Sequence, residues 1–269
     1  MKKIQYSTFR TLVVVVAVVT CFAGSVSAGI SAHYSLSGNL YDDSGNEYNG
    51  TFEGGNGANS SATFVSDSRF GTVLDFDGTD DRISLGNIHH PLQSNSWSIS
   101  MWVKTAATAN TVPLLGKNNG DAGFDAGDRV FEITGNGTWG SLIEADAPVG
   151  NFALNGNALG GQVTKQSTIA LDDGTWHMLT AVHDNSVSAT DMTLYIDGVA
   201  QTGGSLTLDN NAKADVGGFY LGFSNYSNGG AGYLTGQMAE VNFYNVVIDA
   251  ATVKALHDAC IRGTVISIQ

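Results

Sequence analysis

Short segments of alternating apolar and polar residues recur through this 269-residue chain, and they constrain its fold more than any other feature. In Trp97–Lys104, every second side chain from Trp97 to Val103 is apolar, which places the apolar set on one face of a β-strand. The stretches between such segments are rich in Gly, Asn, Asp and Ser, and the chain holds 34 Gly against 3 Pro, which suits tight turns and β-bulges. The sequence therefore predicts an all-β fold, with strands at Thr72–Phe76, Trp97–Lys104, Trp176–Val182, Met192–Asp197, Phe219–Phe223 and Met238–Tyr244.

One segment near the C-terminus departs from this pattern. In Asp249–Ala259 and just beyond it, Val253, Leu256 and Ile261 recur at helical spacing. Asp249 is suited to cap the N-terminus of a helix, because its carboxylate can accept a hydrogen bond from the first turn. We expect one short helix there and none elsewhere in the mature chain.

The first 28 residues have the features of an export signal. A basic start is followed by the apolar core Leu12–Val19, and Val26-Ser27-Ala28 supplies the small residues that a signal peptidase requires. The apolar core is shorter than the roughly 20 residues of a membrane helix, and no later segment is apolar enough to span a bilayer. We therefore predict cleavage after Ala28 and a secreted or periplasmic/extracellular mature chain without a membrane span.

The mature chain has the size of one all-β domain, since sandwiches of roughly 240 residues commonly fold as a unit. We assign residues 29–260 to this domain and residues 261–269 to a C-terminal tail. Only Cys260 remains once the leader is removed, so no intramolecular disulfide holds the fold together. Cys260 is then either buried near the C-terminus or a thiol that pairs between chains.

The charge of the mature chain excludes some classes of partner. The leader carries three of the 12 basic residues (Lys2, Lys3 and Arg10), which leaves 9 basic against 25 acidic residues and a net charge of −16. So acidic a chain repels nucleic acid and anionic membranes. It is compatible with neutral glycans and with Ca²⁺, although acidity that merely keeps an exported protein soluble is an equally simple explanation.

Six short motifs carry a resemblance to a known family. They are Asp42-Asp43-Ser44-Gly45-Asn46, Leu74–Ile83, Ser98–Lys104, Asp173–His177, Leu194–Gly198 and Gly236–Tyr244 followed by the Asp249 helix. In this order, from about residue 32 to residue 258, they resemble the LamG-like branch of the concanavalin A-like lectin/glucanase superfamily. The resemblance implies an antiparallel two-sheet jelly-roll sandwich with one short C-terminal helix. It implies much less about function, because function depends on the site rather than on the fold.

The resemblance also implies a metal site. In LamG-like domains the Asp-x-Ser-Gly-Asn turn and the closing strand lie side by side, often around one Ca²⁺. The resemblance therefore makes Asp42, Asn46 and Glu240 candidate ligands of a structural Ca²⁺. Ala239 occupies the position where many relatives have Asp. The alternative is that Asp42 and Asn46 only satisfy the backbone of a turn. Two further acidic groups are weaker candidates for a cation: Asp121, Asp125 and Asp128, and Asp77, Asp80 and Asp81.

No catalytic set is recognisable in the sequence, and we predict a non-enzyme. A retaining glycosidase needs two carboxyl groups about 5 Å apart on one strand, whereas Glu144-Ala145-Asp146 is followed by Pro148 and by no second Glu. A polysaccharide lyase of this superfamily would need a Tyr/His pair on the concave sheet. His177, His183, Tyr195 and Tyr244 lie on predicted strands, but the sequence does not say which of them are neighbours.

The leading hypothesis is an exported, non-catalytic module that binds carbohydrate or glycoconjugate. Trp139, Tyr226 and Phe124 are aromatic residues in predicted loops, where a ring can stack on a sugar, and we select them as candidate ligand-binding residues. The alternative is a structural or adhesion protein of the cell envelope or matrix, with another extracellular protein as its partner. An exposed Cys260 and strand pairing by the tail at Thr264–Ile268 would favour that alternative. A lyase or hydrolase is the least supported class.

Overall fold

A computed structural model describes residues 29–54, 61–86, 88, 96–106, 112–117, 129–133, 151–155, 164–187, 192–201, 219–224 and 232–261. Within them the chain forms β1 (Ile30–Tyr34), β2 (Thr51–Gly54), β3 (Thr63–Asp67), β4 (Gly71–Asp77), β5 (Asp81–Gly86), β6 (Trp97–Lys104), β7 (Val112–Lys117), β8 (Arg129–Ile133), β9 (Asn151–Asn155), β10 (Thr164–Ala170), β11 (Trp176–His183), β12 (Met192–Ile196), β13 (Val199–Ala200), β14 (Phe219–Leu221), β15 (Phe223–Ser224), β16 (Gly232–Tyr233), β17 (Thr235–Tyr244) and α1 (Ala250–Ile261).

These strands build two antiparallel sheets and a small ribbon. Sheet A has the order β13-β12-β11-β6-β17-β4-β3, and β1 pairs with the second half of β17. Sheet B has the order β10-β9-β8-β7-β14-β5-β2, and β15 pairs with β16 in the ribbon. The arrangement confirms the predicted all-β, two-sheet antiparallel jelly-roll sandwich with one short C-terminal helix.

The apolar faces of the two sheets meet in one core, as the period of two predicts. From sheet B, Ile83 and Leu85 of β5 and Phe219 and Leu221 of β14 are buried in this core. Fully burying such a side chain stabilises the fold by about 1.5–3 kcal/mol, so this set is a principal source of stability. Sheet A contributes Leu74, Phe76, Ile99, Met101, Val103, Leu179, Ala181, Leu194, Ile196, Met238, Val241 and Phe243.

Strand β6 is buried on both faces, which the alternation of its sequence did not indicate. Its outward side chain Trp102 is only 2% exposed, because α1 and the β3–β4 turn cover it. The His257 ring stacks on Trp102 with 5.5 Å between ring centroids. Ser98 Oγ donates to Val246 O and accepts from the Ile248 N–H, so the segment before α1 is fixed to β6 as well. Sheet A therefore has a second apolar cluster between its outward face and α1.

Helix α1 begins where the sequence predicts and extends to Ile261. Asp249 accepts a hydrogen bond from the Thr252 N–H at 2.7 Å, which confirms it as the N-cap. The same backbone hydrogen bond lowers the pKa of Asp249. Cys260, in the last turn, is buried against sheet A, so the first of its two predicted roles holds and pairing between chains is not supported.

The turn that ends the Leu194–Gly198 motif has the backbone conformation of a hairpin, and one predicted strand is divided. Asp197 and Gly198 join β12 to β13 with φ angles of 51° and 78°, as a two-residue hairpin requires. The predicted strand Phe219–Phe223 breaks at Gly222, where φ is 72°. A Cβ at this position would collide with the ring of Phe76, so glycine is required there.

The predicted signal at residues 1–28 and the tail from residue 262 lie outside the described residues. No helix of the described part of the chain has both the length and the apolar character needed to cross a bilayer.

Candidate functional site

The turn after β1 places Asp42 against backbone amides. Its Oδ1 accepts hydrogen bonds from the N–H groups of His33 at 2.9 Å and Ser44 at 3.0 Å, and its Oδ2 accepts one from the Tyr48 N–H at 3.1 Å. Burial alone would raise the pKa of Asp42, but these backbone hydrogen bonds outweigh it and lower the pKa. The ionised carboxylate thus stabilises the turn.

The closing strand β17 brings Glu240 to the same region. Glu240 has a φ of 50° and lies in a bulge, where β17 shifts its register against β6 between Ala239 and Asn242. Its Oε2 is 2.9 Å from His33 Nε2, and both side chains are largely buried. The side chain of His33 therefore connects β1 to the Glu240 carboxylate, while its backbone N–H binds Asp42.

Asn46 completes the set of candidate calcium ligands. Its Nδ2 donates to Ser31 O at 3.1 Å and to Ser44 Oγ at 3.2 Å. The turn and the closing strand are adjacent, as the resemblance implies, but the oxygens of Asp42 are directed at N–H donors rather than at a common centre with Glu240. This donor set fits a turn that satisfies its own backbone better than it fits a Ca²⁺ shell, which consists of oxygens. Calcium at this turn stays a prediction.

Most other candidates from the sequence fall outside the described residues. These are Trp139, Tyr226, Phe124, the loop aspartates Asp121, Asp125 and Asp128, and the segment Glu144-Ala145-Asp146. Of the lyase candidates, His183, Tyr195 and Tyr244 are buried, with His183 packed against Trp97 and both tyrosines beneath α1. The described residues thus do not bring these three together in an open site.

A different set of side chains does come together, on the outward face of sheet B. In β5, Ile83 and Leu85 point into the core, so Arg82 and Ser84 point outward. In β14, Tyr220 points outward between buried Phe219 and Leu221. Pairing of β14 with β5 sets Tyr220 opposite Ser84, and pairing of β2 with β5 sets Glu53 opposite Arg82.

The Arg82 guanidinium is the centre of this set. Its carbon lies 5.0 Å from the ring centroid of Tyr220 and 5.0 Å from that of Phe223, which are cation–π distances. Arg82 Nη2 is 3.1 Å from Glu53 Oε2. Phe223 is also 5.1 Å, centroid to centroid, from Tyr233 of the ribbon. We call Glu53, Arg82, Tyr220, Phe223 and Tyr233 the Arg82 platform.

The platform presents rings and charges to solvent together. Among its rings Phe223 is buried, whereas Tyr220 and Tyr233 are partly exposed, as is Glu53. Burial raises the pKa of Tyr233, Arg82 opposes this effect and the nearby Asp80 adds to it, so the hydroxyl remains a neutral donor and acceptor. The Arg82 Nε atom is buried with no hydrogen-bond partner among the described residues, because aromatic rings rather than oxygens surround this part of the side chain.

Carboxylates lie at one end of the platform, on the turn between β4 and β5. One oxygen from each of Asp77, Asp80 and Asp81 lies within 4.8 Å of the others. Asp81 is fully buried and accepts from Ser61 Oγ at 3.0 Å and from the Asp77 N–H at 2.9 Å. This turn lies within the Leu74–Ile83 motif, and its carboxylates mainly satisfy the turn itself.

Sequence reasoning missed the platform, although it predicted the strand Phe219–Phe223 that carries Tyr220 and Phe223. The signal was present in the alternation: Arg82 and Tyr220 occupy polar-face positions beside buried apolar residues. A period of two says that these side chains point outward but not that β5 and β14 are neighbours, since they are far apart in the sequence.

The sequence of the central and C-terminal strands identifies the family. Residues 77–254 match Laminin_G_3, of the concanavalin A-like lectin/glucanases superfamily, which is more than half of the chain. The chain belongs to this family. The matched segment of this Laminin_G_3 domain includes Arg82, Tyr220 and Tyr233 but begins after Glu53. A comparison with curated proteins finds no match.

Solved structures with the same fold include binding domains and an enzyme. Domain 4 of AbnA, a GH43 extracellular arabinanase from Geobacillus stearothermophilus solved with arabinotriose, has a TM-score of 0.59 and 21% identity over 85% of this chain and 98% of that one. The binding domain of Paraclostridial Mosquitocidal Protein 1 has a TM-score of 0.57 and 12% identity over 87% and 52%. Trypanosoma rangeli sialidase, solved with sialic acid, has a TM-score of 0.57 and 15% identity over 86% and 33%. At these identities the similarity shows the fold alone.

Proposed function

We propose that this Laminin_G_3 chain is an exported, non-catalytic module that binds carbohydrate or glycoconjugate through the Arg82 platform. The observation that carries the proposal is the arrangement of Arg82 at 5.0 Å from two ring centroids, beside the partly exposed Tyr220 of sheet B and Tyr233 of the ribbon. Sugar sites combine a ring for the apolar face of the pyranose or furanose with fixed hydrogen-bonding groups around it. Tyr220 and Tyr233 supply the rings, and Arg82 and Glu53 supply the polar groups.

The fold neighbours agree with this proposal. One is a domain solved with arabinotriose and another is a toxin binding domain. Export follows from the predicted signal at residues 1–28. A non-catalytic role is supported by the sequence, in which we recognise no paired carboxylates of a glycosidase, and by the burial of three of the four lyase candidates.

Binding to a glycan array, followed by calorimetry with the strongest ligand, tests the proposal. Tyr220→Ala and Arg82→Gln should each weaken binding by about tenfold or more, since a contact of this kind is worth about 1–2 kcal/mol. Tyr41→Ala is the matched control, because Tyr41 is a tyrosine that is 65% exposed and makes no ring contact with the platform. Equal affinity of all four proteins, or no glycan bound by the wild type, would contradict the proposal.

A further inference from the structure

The net charge around the Arg82 platform limits which sugars fit it. Arg82 is the cation whose contacts define the platform, whereas Arg69 and Lys104 contact rings on sheet A and Lys254 lies on α1. Glu53, at 3.1 Å, already balances the charge of Arg82. An incoming anion would therefore have to compete with a carboxylate that is part of the same surface.

The adjoining turn makes the surroundings of the platform negative. Asp80 and Asp81 directly precede Arg82 in the chain, and one oxygen of Asp77 lies within 4.8 Å of an oxygen of each. Asp81 is buried on the core side of β5, and Asp80 acts on the pKa of Tyr233. A backbone hydrogen bond from Thr79 lowers the pKa of Asp77, which keeps it ionised at neutral pH. The Arg82 guanidinium is thus paired with the Glu53 carboxylate and follows an acidic turn in the chain.

We infer, on the basis of the proposed function, that the Arg82 platform selects uncharged saccharides and discriminates against sugars that carry a carboxylate or sulfate. Hydroxyl groups of a neutral sugar can accept from Arg82 and donate to Glu53 or Asp80, so both kinds of charge become hydrogen-bond partners. An acidic sugar gains little from Arg82, whose charge Glu53 already balances. Carboxylates within a Debye length, about 8 Å at physiological salt, would also repel it. The fold neighbours were solved with both kinds of ligand, a neutral arabinotriose and an acidic sialic acid.

The test compares neutral and acidic glycans on one array at low ionic strength. The array holds neutral arabino-, xylo-, manno- and galacto-oligosaccharides beside sialylated, uronate-bearing and sulfated ones. We expect the strongest neutral ligand to bind at least about tenfold more tightly than any acidic glycan, with the difference narrowing as salt rises from about 0.05 M to about 0.5 M.

Charge variants separate this selectivity from binding itself. The double variant Glu53→Gln and Asp80→Asn removes two carboxylates, and it should improve the affinity for acidic glycans relative to neutral ones by about tenfold. Asp172→Asn is the control, because it removes a negative charge from a residue that follows β10, five strands from β5 in sheet B and thus roughly 24 Å away. Its selectivity should equal that of the wild type.

The possible outcomes distinguish this inference from the proposed function. The inference is supported if the wild type prefers neutral glycans, the double variant reduces this preference and Asp172→Asn leaves it unchanged. Acidic glycans that bind as tightly as neutral ones, through the same Tyr220 and Arg82, would overturn the inference and leave the proposed function intact. No binding of any glycan would overturn the proposed function and the inference with it.

Discussion

The outward faces of the two sheets carry similar aromatic residues but use them differently. On sheet A, Trp102 stacks against His257 and lies beneath α1, with 2% of its surface exposed. On sheet B, Tyr220 lies against Arg82 and is partly exposed, with no helix over it among the described residues. One face is therefore a second core, and the other is a surface on which a ligand can lie.

This difference explains why the same sequence pattern has two meanings. An aromatic residue at an outward strand position is core when a later element covers it and a candidate ligand contact when none does. The covering element of sheet A is the helix that Asp249 begins, far from Trp102 in the sequence. The role of an outward aromatic residue is thus decided by tertiary structure rather than by the strand that carries it.

Replacing one aromatic residue on each face should give the largest difference. Trp102→Ala should lower the free energy of unfolding by about 3–5 kcal/mol, because it removes a large buried side chain and leaves a cavity beneath α1. Tyr220→Ala should cost less, about 1 kcal/mol in stability, since part of the ring already contacts water. Urea unfolding followed by tryptophan fluorescence or circular dichroism measures both.

The same pair of variants tests whether the two outward faces really differ. Trp102→Ala should keep its glycan affinity at temperatures where it is folded, whereas Tyr220→Ala should lose it. If Tyr220→Ala is as destabilising as Trp102→Ala, the outward face of sheet B is also core and the Arg82 platform is not a ligand surface.

The fold was largely predictable from the sequence, for physical reasons that act locally. A period of two places Ile99, Met101 and Val103 on one face of a strand whatever the strand order is. The Asp197-Gly198 turn and the Asp249 cap depend on residues within a few positions. Burial of the second face of β6 was missed, because covering Trp102 requires contacts that are distant in sequence.

The site was much less predictable, since its residues meet only through strand order. Arg82 contacts Tyr220 and Phe223 because β14 pairs with β5, and nothing in either strand specifies that neighbour. The turn near Asp42 was recognised through the resemblance, and its hydrogen bonds favour the alternative that it satisfies its own backbone. Trp139, Tyr226 and Phe124 remain predictions.

On sheet A, the ion pairs by which Asp197 links β11 to α1 should make a pH-dependent contribution to the free energy of unfolding. His177 Nδ1 is 2.8 Å from Asp197 Oδ2, and His257 Nε2 is 3.9 Å from Asp197 Oδ1. The hydrogen bond to Asp197 outweighs burial and raises the pKa of His177, so its contribution is complete below the unfolded value of about 6.5 and is lost as pH rises through the folded pKa. Burial raises the pKa of Asp197, but the hydrogen bond from His177 and the other favourable contacts outweigh burial and lower it. The contribution of Asp197 to stability is therefore lost only in acid.

Thermal melts of His177→Gln against wild type measure this effect. The wild type should exceed the variant most between about pH 4.5 and about pH 6.5, and the difference should shrink towards about pH 9. The side chain of Asp173 is 52% exposed and 3.3 Å from His177, so Asp173→Asn should reproduce only a small part of the stability loss caused by His177→Gln. A difference that stays constant across this range would show that His177 is not charged in the folded protein.

The smallest expected effect concerns Ca²⁺ and separates the β1 turn from the acidic turn beside sheet B. If Asp42 and Glu240 share one ion, about 1 mM Ca²⁺ at a Kd on the order of 10⁻⁴ M stabilises by RT ln(1 + [Ca]/Kd), about 1.4 kcal/mol. For a domain of this size that corresponds to a rise in Tm of about 3–5 °C, and Mg²⁺ should give much less.

Glu240→Gln should remove the rise while leaving the hydrogen bonds of Asp42 in place, and Asp80→Asn should retain it. A rise that disappears in Asp80→Asn instead would locate the ion at the turn between β4 and β5. No rise in the wild type, together with no fall in Tm when EDTA is added, would mean that Asp42 serves the turn alone.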